Sequence, residues 1–262
     1  MLLVIDIGNT NTNIGIYDES KLIKVYGIAS DHIKTSDEYG ILISSLLLTS
    51  DIKTKINSCI ISSVVPTLGE TIKRAVEEYI NVEVYNLSYK SKLPVKILLD
   101  EPKEAGADRL ANAAAVAVLY KLPAIVIDIG TATTFDIVDK NANFLGGIIA
   151  PGPLIQAKSL SQFTSKLPKL KIEAPKSAIG RNTIDAMLSG IVEGHKQMVE
   201  GMIKLCEKEL GEKATIVATG GFSKKLFDNP ERPVDFINKD LTLFGLKTVY
   251  ELNKGEKNKN AN

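Results

Sequence analysis

The amino-acid sequence predicts an α/β protein built from two similar domains, each a mixed sheet flanked by helices, with a cleft between them. Three observations carry this prediction. Strand-like and helix-like segments alternate along the 262 residues. Both halves open with three short strand-like segments separated by turn residues, which favours antiparallel neighbours in each sheet. An apolar strand ending in Asp-Ile-Gly occurs at 4–10 and again at 126–132, and internal repeats of this kind indicate repeated structural units.

The first half begins with short, β-branched segments and then alternates between strands and helices. Pro66 follows an apolar run and suits the first position of a helix, and the apolar residues after it recur at helical spacing. The predicted strands are 2–7, 13–17, 22–28, 59–65, 82–87 and 95–99, and the predicted helices are 36–49, 66–80 and 104–120.

The second half repeats the opening pattern and continues into longer helices. The predicted strands are 124–129, 133–138, 144–149 and 215–218, and the predicted helices are 153–167, 181–210 and 240–252. We therefore expect one domain over 1–118, a second over 119–252 and a frayed polar tail over 253–262. Clefts between domains are preferred ligand sites, so the functional residues are expected there.

The composition is that of a soluble globular protein, with 44% apolar residues, 24% charged residues and a formal net charge of +1. The charge balance gives no indication of a nucleic-acid partner. The two cysteines, Cys59 and Cys206, form no paired motif, which argues against a zinc site and fits a reducing compartment. Of the two histidines, His195 falls in a predicted helix and is assigned no role.

The N-terminus is unlike a targeting segment, because Met1 is followed directly by a short apolar strand and then by Asp6. No stretch approaches the roughly 18 consecutive apolar residues that a membrane-spanning helix needs. The expectation is a cytoplasmic protein without a membrane partner.

The turn after the first strand has the chemistry that a nucleoside triphosphate needs. Gly8 permits a tight turn whose backbone N–H groups can approach an oxyanion, and Asp6 can hold a hydrated magnesium ion. The residues expected to contact ATP here are Asp6, Ile7, Gly8, Asn9, Thr10, Asn11, Thr12 and Asn13. The alternative is an ordinary hairpin turn, in which Asn and Gly are common. Recurrence of the pattern at 128–134 favours the nucleotide.

A third motif, Gly106-Ala107-Asp108-Arg109, begins a predicted helix. Asp108 can accept a proton from a substrate hydroxyl, and Arg109 can hold a carboxylate in a bidentate fork. The alternatives are a helix-dipole role for Asp108 and a surface ion pair for Arg109. Gly pairs at 146–147 and 220–221 allow either close approach to a ligand or tight strand–helix packing. The P-loop, GxGxxG and protein-kinase signatures are absent from the sequence.

Together these motifs resemble the actin, sugar kinase and Hsp70 ATPase superfamily and, within it, type III pantothenate kinase. They stand in the family's order, at 6–10, 106–109, 128–133, 147–152 and 219–221. The resemblance implies two ribonuclease H-like (actin-like ATPase) domains. It also implies ATP-dependent phosphorylation of pantothenate to 4′-phosphopantothenate, the first step of coenzyme A biosynthesis.

The resemblance implies roles for individual residues. Residues 6–13 would hold the ATP phosphates, Asp6 would organise the divalent metal, Mg²⁺, and Thr131 would contact ATP. Asp128 would hold a monovalent cation, K⁺ or NH₄⁺, and Asp108 would be the catalytic base. The residues implied for pantothenate binding are Gly106, Ala107, Asp108, Arg109 and Thr183. The family is dimeric, so a homodimer is expected.

One position departs from the family pattern. Family members often carry a Tyr in the substrate pocket seven residues before the Gly of the Gly-Ala-Asp-Arg motif, and this chain has Leu99 there. The loss of that hydroxyl leaves open another kinase or phosphatase of the superfamily, acting on a different small hydroxy acid or sugar. A second alternative is a non-catalytic accessory factor in transcription, against which the retained acidic residues argue.

Overall fold

The protein is described by a computed structural model over residues 1–49, 55–228 and 233–254. The chain divides into two compact units. The first contains Met1–Val118 and the C-terminal segment from Asp240, and the second contains Leu119–Lys239. Within the described ranges, no helix combines the length and the apolar character needed to cross a membrane.

The described residues of the first unit form a mixed sheet flanked by α-helices. Its strands are β1 (Leu2–Ile7), β2 (Asn11–Asp18), β3 (Lys21–Ala29), β4 (Ser58–Ser63), β5 (Val84–Asn86) and the two-residue β6 (Lys96–Ile97). Its helices are α1 (Ser36–Leu48), α2 (Pro66–Tyr79), α3 (Ala107–Leu119) and α8 (Leu241–Asn253). The sheet order is β3-β2-β1-β4-β5. The β1–β2 and β2–β3 pairs are antiparallel, whereas β1–β4 and β4–β5 are parallel.

Successive side chains of β1 point to opposite faces of this sheet, and both faces are covered by helices. Leu3, Ile5 and Ile7 share one apolar core with residues of α1 and α2. Val4 faces the other side, over Gly15, where a Cβ would come within 2.8 Å of Val4 Cγ2 and within 3.1 Å of a methyl group of α8.

Helix α8 corrects the predicted domain division, which placed 240–252 in the second domain. It packs against β1, β2 and β4 of the first unit and fully buries Leu241 and Leu246. Gly245 lies so close to the Ala111 carbonyl that no side chain fits there. The sequence pattern shows that this helix has an apolar face, but it does not specify which sheet that face covers.

The last residue of α8, Asn253, corrects the predicted start of the frayed tail, because it is 3% exposed. Its Oδ1 accepts hydrogen bonds from the Tyr85 hydroxyl at 3.0 Å and from the Lys92 N–H at 2.9 Å. Its Nδ2–H donates to the Lys92 carbonyl at 2.9 Å. These bonds anchor the helix end. Residues 255–262 of the predicted tail lie outside the described residues.

The second unit repeats the strand arrangement of the first. Its strands are β7 (Ala124–Ile129), β8 (Ala132–Val138), β9 (Asn143–Pro151), β10 (Thr215–Thr219) and β11 (Phe236–Ile237), in the order β11-β10-β7-β8-β9. The β7–β8 and β8–β9 pairs are antiparallel, whereas β7–β10 and β10–β11 are parallel. The sequence repeat is thus matched by a topological repeat, and two mixed sheets flanked by helices confirm the predicted fold class.

The helices of the second unit differ from the prediction in their bounds. They are α4 (Pro153–Phe163), α5 (Thr183–Leu188), α6 (Gly194–Leu210) and α7 (Ser223–Phe227). The helix predicted over 181–210 begins at Thr183 and contains a π-helical turn at Ser189–Glu193, between α5 and α6. Helix α6 ends at Leu210 and is capped by Gly211, which has the left-handed conformation with φ 74°. The short α7 and β11 were not predicted, since neither is long enough to show a hydrophobic period.

Candidate active site

The carboxylate of Asp6 lies near the end of the central strand of the first unit. In the register of the sheet, Asp6 is opposite Asn13 on β2 and Ser62 on β4. The Ser62 hydroxyl donates to Asp6 Oδ1 at 2.7 Å. These polar neighbours fix the orientation of the carboxylate at the strand end.

Asp6 and Asp108 are brought together although they are about a hundred residues apart in the sequence. Burial, and to a smaller extent the neighbouring Asp108 carboxylate, raise the pKa of Asp6 to about 7, although hydrogen bonds from Ser62 and Asn13 oppose the increase. Burial also raises the pKa of Asp108, against the Arg109 N–H that donates to its Oδ1 at 2.8 Å. Two carboxylates that repel each other in a partly buried site suit a divalent cation. Mg²⁺ is usually bound by one or two carboxylates together with waters and phosphates.

The turn between β1 and β2 presents polar groups to solvent. The Gly8 N–H donates to the Asn11 carbonyl at 3.0 Å, and the Thr10 carbonyl accepts from the Ser30 N–H at 2.9 Å. Asn9, Thr10 and Asn11 are exposed. The closed turn therefore holds Asn9, Thr10 and Asn11 at the end of the sheet where Asp6 lies. Exposed polar groups on a tight turn are suited to binding an oxyanion.

Two residues of the predicted phosphate-binding set have buried side chains. Ile7 and Thr12 are both 0% exposed. The Thr12 hydroxyl is hydrogen-bonded to the Ser30 hydroxyl at 2.9 Å. The Thr12 hydroxyl therefore helps to close the turn.

The Gly-Ala-Asp-Arg motif forms the start of α3. The Gly106 carbonyl accepts the helical hydrogen bond from the Leu110 N–H at 3.0 Å. A Cβ on Gly106 would lie 2.7 Å from Asp108 Oδ1, so the glycine leaves room for the carboxylate. Ala107 and Arg109 are partly buried beside it, and Leu99 is partly buried just after β6.

In the second unit, Asp128 occupies the position equivalent to Asp6, near the end of the central strand. Its register neighbours are Thr134 on β8 and Thr219 on β10. Gly220, with φ 86°, packs so tightly against Asp128 Oδ1 and the Ile129 backbone that any side chain there would collide with them. A carboxylate between two threonines is an oxygen-rich setting of the kind that hard cations prefer.

The turn after Asp128 is held by close backbone packing. The Gly130 N–H donates to the Ala132 carbonyl at 3.0 Å, and the Gly152 N–H donates to the Thr131 carbonyl at 3.1 Å. A Cβ on Gly152 would collide with the carbonyls of Gly130 and Thr131. Thr131 is therefore fixed by its backbone and is partly exposed.

Thr183 lines a cavity of about 870 Å³ within the second unit. It is the first residue of α5, which Asn182 caps by accepting the Asp185 N–H at 2.9 Å. The other lining residues include Gln156, Leu160, Phe163, Met187 and Ile191. A mostly apolar wall with a few polar groups is typical of small-molecule sites.

Sequence reasoning missed two kinds of residue. Ser62 falls inside the predicted strand 59–65, and its role depends on the parallel β1–β4 register. His195 and Gln156 were given no role, yet their side chains are hydrogen-bonded to each other in the second unit. The one available signal was a polar residue within an otherwise apolar segment.

Solved structures share this fold. A Baf family transcriptional activator from Campylobacter jejuni has a TM-score of 0.61, with 21% identity, over 97% of this chain and 100% of its own. An activator of 2-hydroxyisocaproyl-CoA dehydratase from Clostridium difficile, with bound ADPNP, has a TM-score of 0.52 and 14% identity over 98% of each chain. At these identities the similarity shows the fold alone, which is the actin-like ATPase fold.

The sequence itself matches a known family. The profile of type III pantothenate kinase matches residues 2–205. A type III pantothenate kinase from Dehalococcoides mccartyi is 41% identical over 254 residues, which cover 97% of this chain and 96% of the relative. One from Exiguobacterium sibiricum is 38% identical over 255 residues, covering 97% and 100%. The chain therefore belongs to the type III pantothenate kinase family.

Proposed function

We propose that this enzyme transfers the γ-phosphoryl group of ATP to the primary hydroxyl of pantothenate, giving ADP and 4′-phosphopantothenate, the first step of coenzyme A biosynthesis. The observation that carries the proposal is the Asp6–Asp108 pair. One carboxylate belongs to the polar turn suited to phosphates, and the other begins the Gly-Ala-Asp-Arg helix. The effect of the Asp108 carboxylate on the pKa of Asp6 supports a shared reaction centre.

The polar turn is the proposed phosphate site. Its backbone N–H groups and the side chains of Asn9, Thr10 and Asn11 bind phosphate oxygens, while Ser62 orients Asp6 by the 2.7 Å hydrogen bond. Asp6 would hold Mg²⁺ through water. When bound, this ion supplies neutralisation of the phosphate charge.

Asp108 is the proposed catalytic base. Phosphoryl transfer passes through a loose transition state, so orientation of the hydroxyl in line with the γ-phosphate matters more than early proton removal. A carboxylate whose pKa is raised by burial is better able to accept that proton late in the reaction. Gly106 and Ala107 form the adjoining wall, and Arg109 holds the pantothenate carboxylate in a bidentate pair.

Residues of the second unit complete the proposed set. Asp128, flanked by Thr134 and Thr219, would hold K⁺ or NH₄⁺. Thr131 contributes to ATP binding, and Thr183, in the cavity wall, contributes to pantothenate binding.

The enzyme is also proposed to form a homodimer in the cytoplasm. Phe163, at the cavity of the second unit, is 80% exposed, and Ile184 of α5 is 48% exposed. Exposed apolar side chains of this size can mark a protein–protein contact, which supports a second copy of the chain as the partner. Sedimentation velocity of the purified protein tests this state, and a monomer at micromolar concentration would contradict it.

The reaction is tested by ADP release from purified protein with ATP, Mg²⁺, K⁺ and pantothenate, against a control without pantothenate. Asp108→Asn is expected to retain ATP binding and to lose about 10²–10⁴-fold in kcat, because the general base is removed while the shape is kept. Asp18→Asn, an exposed carboxylate at the end of β2, is the matched control and keeps wild-type turnover. A nearly unchanged kcat for Asp108→Asn rejects the base assignment.

The cation assignment has its own test. Asp128→Ala is expected to abolish the response of ADP release to K⁺ or NH₄⁺, because the carboxylate that holds the cation is gone. The measurement compares turnover in KCl, NH₄Cl and NaCl at equal ionic strength. If the variant responds to these cations as the wild type does, the assignment is rejected.

The Leu99 departure gives the second candidate function, a kinase for another small hydroxy acid or sugar. A panel of such alcohols in the same assay discriminates between the two. ADP release that depends on one of them and not on pantothenate would favour this candidate. ATP binding without turnover on any alcohol would favour a non-catalytic role.

A further inference from the structure

Three side chains of the second unit form a buried hydrogen-bonded chain that the proposed reaction does not use. His195 Nε2 lies 3.0 Å from the Thr133 hydroxyl, and His195 Nδ1 lies 2.9 Å from Gln156 Nε2. His195 is 1% exposed and Thr133 is 0% exposed. A polar group buried this deeply costs free energy unless it is hydrogen-bonded, so all three side chains must keep these positions relative to one another.

The direction of the hydrogen bonds follows from their partners. Gln156 Nε2–H donates to the Pro151 carbonyl at 2.9 Å, which identifies this atom as the amide nitrogen and hence as a donor to His195 Nδ1. His195 Nε2 therefore carries the proton and donates to the Thr133 hydroxyl. Burial lowers the pKa of His195 to about 4, in agreement with a neutral ring. A neutral imidazole accepts on one side and donates on the other, which no aliphatic or aromatic replacement does.

The π-helical turn explains how His195 reaches this position. A π turn inserts one extra residue and so rotates the following helix by roughly 100° relative to a continuous α-helix. Helix α5 presents Thr183 and Met187 to the cavity, whereas α6 presents His195 to β8 and α4. Single π turns inside helices occur frequently at functional sites.

The two end members of this hydrogen-bonded trio, Thr133 and Gln156, border the two ligand regions proposed for this unit. Thr133 lies in β8, two residues after Thr131 and paired with Ile129, so it borders the turn that carries Asp128. At the other end, Gln156 is part of the wall of the cavity that contains Thr183.

We infer that His195 is a positioning residue, which holds the Asp128–Thr131 turn and the cavity wall in place through Thr133 and Gln156. This inference rests on the proposed function only in assigning ligands to those two regions. Removal of its hydrogen bonds allows the turn to open more often, which weakens binding of the monovalent cation.

The test is hydrogen exchange of the ligand-free protein, read at the Gly130 and Gly152 amides that close the turn. Thr133→Val keeps the side-chain shape but removes the hydroxyl, and His195→Leu removes both hydrogen bonds. Each variant is expected to exchange these amides about tenfold faster, as the loss of a buried hydrogen bond implies. Thr133→Ser keeps the hydroxyl and is the matched control, with exchange close to wild type.

The slowest-exchanging amides of β10, in the same unit, are the internal reference and should change less than those of Gly130 and Gly152. Wild-type exchange at Gly130 and Gly152 in both His195→Leu and Thr133→Val overturns the inference. So does an equal increase at the β10 amides, because a loss of stability of the whole second unit would then explain the result.

A second readout follows cation binding without turnover. The KCl concentration at the midpoint of the K⁺-dependent rise in Tm is expected to increase about tenfold in Thr133→Val and to stay unchanged in Thr133→Ser. An unchanged midpoint in Thr133→Val also counts against the inference. If the wild type releases no ADP with pantothenate, the proposed function fails, but the exchange comparison still decides the role of His195.

Discussion

Acidification provides a quantitative test of the buried His195. The native ring has a pKa of about 4, whereas an unfolded histidine has a pKa of about 6.5. Between these pH values the histidine is protonated in the unfolded chain but not in the native state. The stability that results from the neutral ring is therefore fully present above pH 6.5 and is lost as the pH falls toward 4. For a shift from pH 7.5 to pH 5.0, this linkage lowers the free energy of unfolding by about 2 kcal/mol.

The assay is native-state hydrogen exchange of the slowest amides of β7 and β8, corrected for the intrinsic rate at each pH. It reports the opening free energy of the second unit, which avoids treating two units as one transition. The wild type is compared with His195→Leu, and the exposed His32→Gln is the matched control. The pKa of Asp6 is raised to about 7, so acidification favours the native state there, but Asp6 is present in all three proteins.

The expected result is a pH dependence about 2 kcal/mol smaller in His195→Leu than in the wild type, with His32→Gln like the wild type. Equal pH dependence in His195→Leu and wild type, within about 0.5 kcal/mol, would falsify the claim that His195 is held neutral. A change in His32→Gln as large as in His195→Leu would refute the burial argument as well.

Two further predictions concern the acidic positions. Gly220→Ala is expected to weaken the K⁺ response of ADP release at least about tenfold, because the added Cβ displaces Asp128. Gly211→Ala is the control: Gly211 also has a left-handed φ but lies in open space, so the substitution costs only about 1 kcal/mol of stability and leaves the K⁺ response unchanged. Wild-type K⁺ activation of Gly220→Ala would contradict this reading. Asp6→Asn is expected to abolish activity yet raise the free energy of unfolding at pH 8 by about 2 kcal/mol, because it removes a partly buried charge that repels Asp108. The folded pKa of Asp6 is raised, so this gain should shrink at pH 5, and native-state hydrogen exchange of the slowest β1 amides at both pH values checks it.

The local features of the chain could be predicted from sequence because they depend on neighbouring residues. Short apolar, β-branched runs between turn residues predicted the strands 2–7 and 124–129, and both have those bounds in the structure. Repetition of Asp-Ile-Gly indicated the duplicated fold. The polar turns after each copy identified the candidate site. For short elements such as α7, no hydrophobic period exists to be detected.

The sequence by itself determined which segments become strands and helices and which acidic turns recur, since residue spacing fixes the faces of each element. Tertiary structure alone decided that Asp108 lies beside Asp6, that Ser62 orients that carboxylate, and that His195 bonds to Thr133. Those contacts depend on strand register and on which helix face packs where. Both follow from the packing of the whole unit, and no local pattern encodes them.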